Sequence, residues 1–88
     1  MTSHFAKVTH EEADLEVDAS GLLCPLPVYR ASLALDQLSP GQVLRVVTTD
    51  PGALEDIPAL ARQTGNILLS FERLEDRQLF WIEKAARS

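Results

Sequence analysis

The sequence contains the stretch LEVDASGLLCPLP over residues 15–27, which decides the first half of the fold. Polar and apolar residues alternate over residues 14–18, a pattern typical of a half-buried β-strand. Residues 19–23 follow as a loop, and Cys24 comes next with two prolines behind it. The start of a helix tolerates proline because its first N–H groups have no intrahelical partner. The stretch therefore predicts a strand, a loop and a helix that has Cys24 in its first turn.

The rest of the chain predicts one more helix and three more strands. Helical spacing of apolar residues, runs of β-branched residues and turn residues such as Gly, Pro and Asn separate these elements. The full set is a helix over residues 25–38, a strand over 42–48, a helix that opens at Asp50 and runs to residue 64, and strands over 67–74 and 78–84. In the second helix, Asp50 is a natural N-cap, whereas Pro58 predicts a kink or a split.

The element order β-α-β-α-β-β predicts an α/β fold of two layers. Strand–helix–strand units cross over right-handed, which places their helices on one face of the sheet. The last two strands are joined by a short turn and are therefore antiparallel. We expect a two-layer α/β sandwich, with a four-stranded mixed sheet and two helices on one face. Cys24 and Asp50 each follow a strand, so both should lie at the carboxyl edge of the sheet.

Composition limits the classes of protein that fit. The chain has 88 residues, 45% hydrophobic content and a net charge of −5. We expect a flexible N-terminal segment over residues 1–13 and a single domain over residues 14–85. A single cysteine cannot form an internal disulfide, and no apolar stretch is long enough to span a membrane. The prediction is a cytoplasmic protein without a membrane or direct nucleic-acid partner, since phosphate binding needs clustered basic residues.

Cys24 is the only thiol and the strongest candidate for chemistry. A helix start offers unpaired N–H donors and a positive dipole end, and both favour a thiolate over a thiol. We therefore expect Cys24 to be an activated nucleophile. The alternative is that Cys24 is a small buried hydrophobic residue without chemistry.

Two blocks of sequence resemble the TusA/SirA/YedF family of small sulfur-carrier proteins. The first is the family hallmark Cys-Pro-x-Pro preceded by Asp-x-x-Gly, and here it consists of Asp18, Gly21, Cys24, Pro25, Leu26 and Pro27. The second block is Asp50-Pro51 followed by Asp56-Ile57-Pro58. The resemblance covers about residues 15 to 84 and implies the same β-α-β-α-β-β sandwich.

The resemblance also implies a function. Cys24 would carry sulfane sulfur as a transient covalent persulfide, with no other cofactor and no metal. The sulfur donor would be a cysteine desulfurase or a rhodanese-type enzyme. The acceptor would be a relay protein of the DsrE-like, TusD-like or heterodisulfide-reductase-like kind, in sulfur oxidation, tRNA wobble-uridine thiolation or cofactor assembly. Such a chain is a sulfurtransferase-type carrier rather than a multiple-turnover enzyme alone.

The other candidate residues have simpler alternatives. Asp18 is expected to bond backbone in the loop before Cys24, and Leu26 is expected to be a contact or packing residue. Arg30 and Asp50 are possible partner contacts, although a solvated side chain and an N-cap are the simpler interpretations. A non-catalytic interaction module, in which the Cys24 edge is a docking surface and the thiol is incidental, remains the alternative function.

Overall fold

The computed structural model describes residues 13–86 of the chain. All six predicted elements are present and in the predicted order. The elements are β1 (Leu15–Ala19), α1 (Leu26–Asp36), β2 (Val43–Thr48), α2 (Ala53–Thr64), β3 (Ile67–Arg73) and β4 (Gln78–Glu83). The segment predicted to be flexible over residues 1–13 lies, except for Ala13, outside the described residues.

The four strands form one mixed sheet in the order β1-β2-β4-β3. β1 pairs with β2 in parallel, as a strand–helix–strand unit requires, and β4 is antiparallel to both β2 and β3. Both helices contribute to a single buried cluster with alternate residues of the central strands. The fully buried strand members of that cluster are Leu44, Val46, Phe80 and Ile82. Because alternate residues share one face, the two helices cover one face of the sheet, which confirms the predicted sandwich.

α2 differs from its prediction at Pro58 and at its start. The helix runs without interruption from Ala53 to Thr64 with Pro58 inside it, so the predicted split is wrong. Buried residues on both sides of the proline, Ile57 and Leu60, anchor the helix to the core and outweigh the loss of one N–H donor. The N-cap position is occupied by Gly52 rather than by Asp50.

α1 is shorter than the predicted helix over residues 25–38. It begins at Leu26 and ends at Asp36, with Pro25 at the N-cap position. Beyond its end, Leu38 donates its N–H to the Leu35 carbonyl at 3.1 Å, a bond one residue tighter than an α-helical bond. Cys24 therefore lies in the turn that precedes the helix rather than within it.

The C-terminus of α2 depends on a glycine in the left-handed conformation. Gly65 has φ 77°, and Asn66 donates its N–H back to the Ala61 carbonyl at 2.9 Å. This is the bond pattern of a Schellman motif, which favours glycine because other residues are strained there. We expect Gly65→Ala to lower the free energy of unfolding by about 1 kcal/mol, measured by urea denaturation. Gly65→Asn should lose less, since asparagine tolerates this conformation, and equal stability of all three proteins would contradict the assignment.

Within the part of the chain that the structure describes, neither helix has the length and apolar character needed to cross a bilayer.

Candidate functional site at the carboxyl edge of the sheet

Cys24 lies where β1 and β2 both end, as the topology predicts. The thiol is exposed, and the peptide bond between Cys24 and Pro25 is cis. Pro27 is buried, so the second proline of the motif anchors the first turn of α1 in the protein. Pro25 and Leu26 are exposed beside the thiol. The motif thus holds the start of the helix and leaves Cys24 open to an approaching molecule.

The loop before Cys24 is fixed by hydrogen bonds within it and to the next loop. Asp18 accepts the Ser20 N–H at 3.0 Å, as the sequence predicts. The hydrogen bonds from Ser20 hold the pKa of the Asp18 carboxyl below its usual value, and the positive charge of Arg77 adds to this effect. Gly21 has φ 80° and donates its N–H to Thr49 Oγ1 at 2.9 Å. Asp18 and Gly21 are therefore positioning residues of the loop that carries the thiol.

Asp50 connects the two loops at this edge. Its Oδ2 accepts the backbone N–H of Cys24 at 2.8 Å, and its Oδ1 accepts the Gly52 N–H at 3.3 Å. The side chain therefore stabilises the turn that leads into α2 and holds the backbone of Cys24 at the same time. Both carboxylate oxygens of Asp50 therefore bond to backbone N–H groups of this protein. The N-cap prediction covered the role of Asp50 at the start of α2 but not its bond to Cys24.

Asp56 contacts the sulfur itself. Cys24 Sγ donates a hydrogen bond to Asp56 Oδ2 at 3.4 Å, an ordinary length for a bond that involves sulfur. Asp56 lies in the first turn of α2, which begins at the same sheet edge as the Cys24 loop. From the sequence, Asp56 is part of the second family block and is expected to be only a solvated or locally bonded helix residue, so its contact with the thiol is a correction. Its place just after Asp50, on a helix that starts at this edge, was the signal that could have identified it.

The two carboxylates reverse the expected effect on the thiol. The pKa of Cys24 is raised above its ordinary value, first by the hydrogen bond to Asp56 and further by the negative charges of Asp56 and Asp50. The prediction that the helix start favours the thiolate is therefore wrong. Pro25 and Pro27 lack N–H groups, and the N–H of Cys24 is already bonded to Asp50. The thiol consequently donates a hydrogen bond to the Asp56 carboxylate and is not stabilised as a thiolate by these N–H groups.

An exposed apolar stripe follows the thiol along α1. It begins with Leu23 in the loop, which is 70% exposed, and continues on the outer side of the helix. Its helical members are spaced three and four residues apart and so share one face. The α1 stripe consists of Leu23, Leu26, Tyr29 and Leu33. Leu26 is thus exposed rather than packed in the core, and the exposed Arg30 lies beside the stripe.

Among residues 13–86, no group of three His, Cys, Asp or Glu side chains is arranged to hold a metal ion.

Comparison with known proteins gives the family. The family model for sulfurtransferase TusA matches residues 15–84, and the chain therefore belongs to the TusA family. The sulfur carrier protein TusA of Allochromatium vinosum is 49% identical over 72 residues, which are 82% of this chain and 95% of that protein. The sulfur carrier protein TusA of Pseudomonas aeruginosa is 37% identical over 79 residues, which are 90% of this chain and 99% of that protein.

A solved structure supports the same assignment. The crystal structure of a SirA-like protein from Desulfitobacterium hafniense matches this fold with a TM-score of 0.67 at 26% identity. The match covers 82% of this chain and 99% of that one. The family resemblance stated from the two sequence blocks is confirmed, and so is the α/β fold that it implied.

The raised thiol pKa leads to a direct test of the site. We expect the rate of Cys24 alkylation by iodoacetamide to rise with pH around a midpoint above the usual thiol range, because only the thiolate reacts. Asp56→Asn removes a negative charge and keeps the shape of the side chain, so it should move the midpoint to lower pH. Stopped samples analysed by intact mass measure both profiles. If the midpoint of the pH profile is the same in Asp56→Asn as in the wild type, the contact between Asp56 and Cys24 is contradicted.

Proposed function

We propose that Cys24 carries sulfane sulfur as a covalent persulfide. The observation that carries the proposal is the exposed thiol at the start of α1, held in the Cys-Pro-x-Pro motif of a chain that belongs to the TusA family. The relatives named sulfur carrier proteins support the same function. The sulfur donor is a cysteine desulfurase or a rhodanese-type enzyme, and the acceptor is a DsrE-like, TusD-like or heterodisulfide-reductase-like protein.

The transfer is an exchange at sulfur without net oxidation. The Cys24 sulfur attacks the terminal sulfur of the donor persulfide, and the donor S–S bond breaks. The electron pair of that bond remains on the donor cysteine, which leaves as a thiolate and becomes a thiol on gaining a proton. Cys24 is then the persulfide, and an acceptor thiolate removes the terminal sulfur in the same way. A chain with one cysteine has no resolving thiol, so each exchange is intermolecular.

The sulfur is passed on, in the cytoplasm, either into a sulfur-oxidation relay or to the thiolation of the tRNA wobble uridine. The net charge of −5 disfavours direct binding to RNA, so tRNA thiolation would proceed through an acceptor protein. The exposed Leu26 between the two prolines gives this chain an apolar contact next to the thiol, which suits a protein partner.

Intact mass spectrometry tests the proposal. We expect the protein to gain the mass of one sulfur atom when it is incubated with a cysteine desulfurase and cysteine, and to lose it again on addition of a reductant. A rhodanese-type enzyme with thiosulfate serves as a second donor. No reductant-sensitive gain from either donor would contradict the persulfide carrier.

A docking module that does not use the thiol is the second candidate function. The observation that favours it is the α1 stripe, which exposes four large apolar side chains beside Cys24. In that case a Cys24→Ser protein keeps both its partner binding and its cellular function, whereas Tyr29→Ser loses them. A carrier that docks through the same stripe keeps binding in Cys24→Ser but loses sulfur transfer, so the two functions are separable in one pair of variants.

A further inference from the structure

The contact between Asp56 and Cys24 assigns a step of the proposed transfer to a second residue. We propose that Asp56 is a catalytic residue, which accepts the Cys24 proton as the sulfur attacks and gives it up to the departing donor sulfur. The inference rests on the persulfide transfer proposed above and concerns how the proton moves during that transfer.

One carboxylate oxygen of Asp56 lies within hydrogen-bond reach of the Cys24 thiol. Asp56 Oδ2 lies 3.4 Å from Cys24 Sγ, with the thiol as donor. Asp50 holds the backbone of Cys24, so the position of the loop does not depend on the bond from the thiol to Asp56. A general base must lie within hydrogen-bond reach of the proton that it removes, and Asp56 meets this condition before any partner arrives.

The contact between Asp56 and Cys24 can serve the transfer because a proton has to move from the attacking sulfur to the departing one. The attacking sulfur must lose a proton, since the thiolate is the nucleophile, and the donor sulfur departs as a thiolate that takes up a proton to become a thiol at neutral pH. Two carboxylates disfavour a free thiolate at Cys24, so a proton that leaves during the attack avoids that charged intermediate. Asp56 receives this proton while the new S–S bond forms, and it is a carboxylate again once the donor sulfur has taken the proton. No oxidant, reductant or further reactant is required.

The same carboxylate has opposite effects on two reactions of Cys24. Iodoacetamide releases iodide, which leaves without a proton, so alkylation reports only the thiolate population. Asp56→Asn lowers the pKa of the thiol and should therefore speed alkylation at neutral pH. Sulfur loading expels a thiolate, which unlike iodide is basic enough to take up the proton from Asp56 as it leaves, so the same variant should load sulfur more slowly. A residue with an electrostatic role alone would change both rates in the same direction.

The experiment is single-turnover loading of Cys24 from glutathione persulfide, a small donor that needs no docking surface. Rates are measured by quenched intact mass across pH for wild type, Asp56→Asn, Asp56→Glu and Glu55→Gln. Glu55 is an exposed carboxylate of the same helical turn, and Glu55→Gln removes the same charge without touching Sγ. We expect Asp56→Asn to load at least about tenfold more slowly at neutral pH, with the deficit closing at alkaline pH where the thiol is already ionised.

The controls distinguish the outcomes. Asp56→Glu should recover part of the rate and Glu55→Gln should match the wild type. Loading of the wild type should also slow in heavy water, and this slowing should disappear in Asp56→Asn. If Asp56→Asn loads as fast as the wild type or faster at neutral pH, the role of Asp56 is overturned while the carrier function stands. A wild-type protein that takes up no sulfur from any donor overturns both.

Discussion

Cys24→Ser is expected to abolish sulfur loading and to leave the fold unchanged. Serine is close to cysteine in size and keeps the backbone N–H that Asp50 accepts, and its hydroxyl can still donate to Asp56. Cys24 is exposed and makes no core contact, so the free energy of unfolding should change by no more than about 0.5 kcal/mol. The variant lacks the thiol that accepts sulfane sulfur and becomes the persulfide. The mass gain after incubation with desulfurase and cysteine should therefore fall to background.

The matched measurements make this result specific. Urea unfolding of the wild type and of Cys24→Ser checks that the fold is retained, and a binding assay with the donor enzyme checks whether the serine changes donor binding. Sulfur that still accumulates in Cys24→Ser, in a form that a reductant removes, would contradict the assignment of Cys24. If Cys24→Ser loses both donor binding and sulfur loading, the serine has instead disturbed the surface that contacts the donor.

The fold could be predicted from the sequence because its signals are local. β2 is rich in β-branched residues, and α1 and α2 carry apolar residues at helical spacing between clear turn residues. The split predicted at Pro58 is wrong because the tertiary packing of α2 outweighs the local cost of proline in a helix. Ile57 and Leu60, two of the residues at helical spacing, are buried on either side of it, and their packing keeps the helix continuous.

The candidate site could be predicted in position but not in its electrostatics. The strand order alone brings Cys24 and Asp50 to one edge, since parallel strands end together. The expected thiolate followed from the N–H donors and dipole of one helix start, and a carboxylate at the same edge, such as Asp50, opposes that effect by raising the pKa of the thiol. The bond from Cys24 to Asp56 joins residues that are 32 positions apart, and its length depends on how α2 packs beside α1. The sequence places Asp56 at this edge, just after Asp50, but the side-chain contact itself follows from the assembled fold.

The position of Asp56 next to Cys24 therefore depends on the core beneath the two helices. Phe80 is fully buried at the centre of the sheet and belongs to the cluster that holds both α1 and α2. Removing a buried phenyl ring leaves a cavity in addition to the lost burial, and such truncations cost about 3–5 kcal/mol. That is a large part of the stability of a small domain, which is about 5–15 kcal/mol.

Phe80→Ala is consequently expected to lower the free energy of unfolding by about 3–5 kcal/mol, measured by urea denaturation. Phe71→Ala is the matched control, because Phe71 stacks on Phe80 with ring centroids 5.8 Å apart but is itself 53% exposed. It should lose only about 0.5–1.5 kcal/mol for the ring contact, plus a small burial term. Where Phe80→Ala remains folded, in the cold and without denaturant, Cys24 should still load sulfur, since the thiol itself is exposed outside the core. Equal losses in the two variants would contradict the assignment of Phe80 to the shared core.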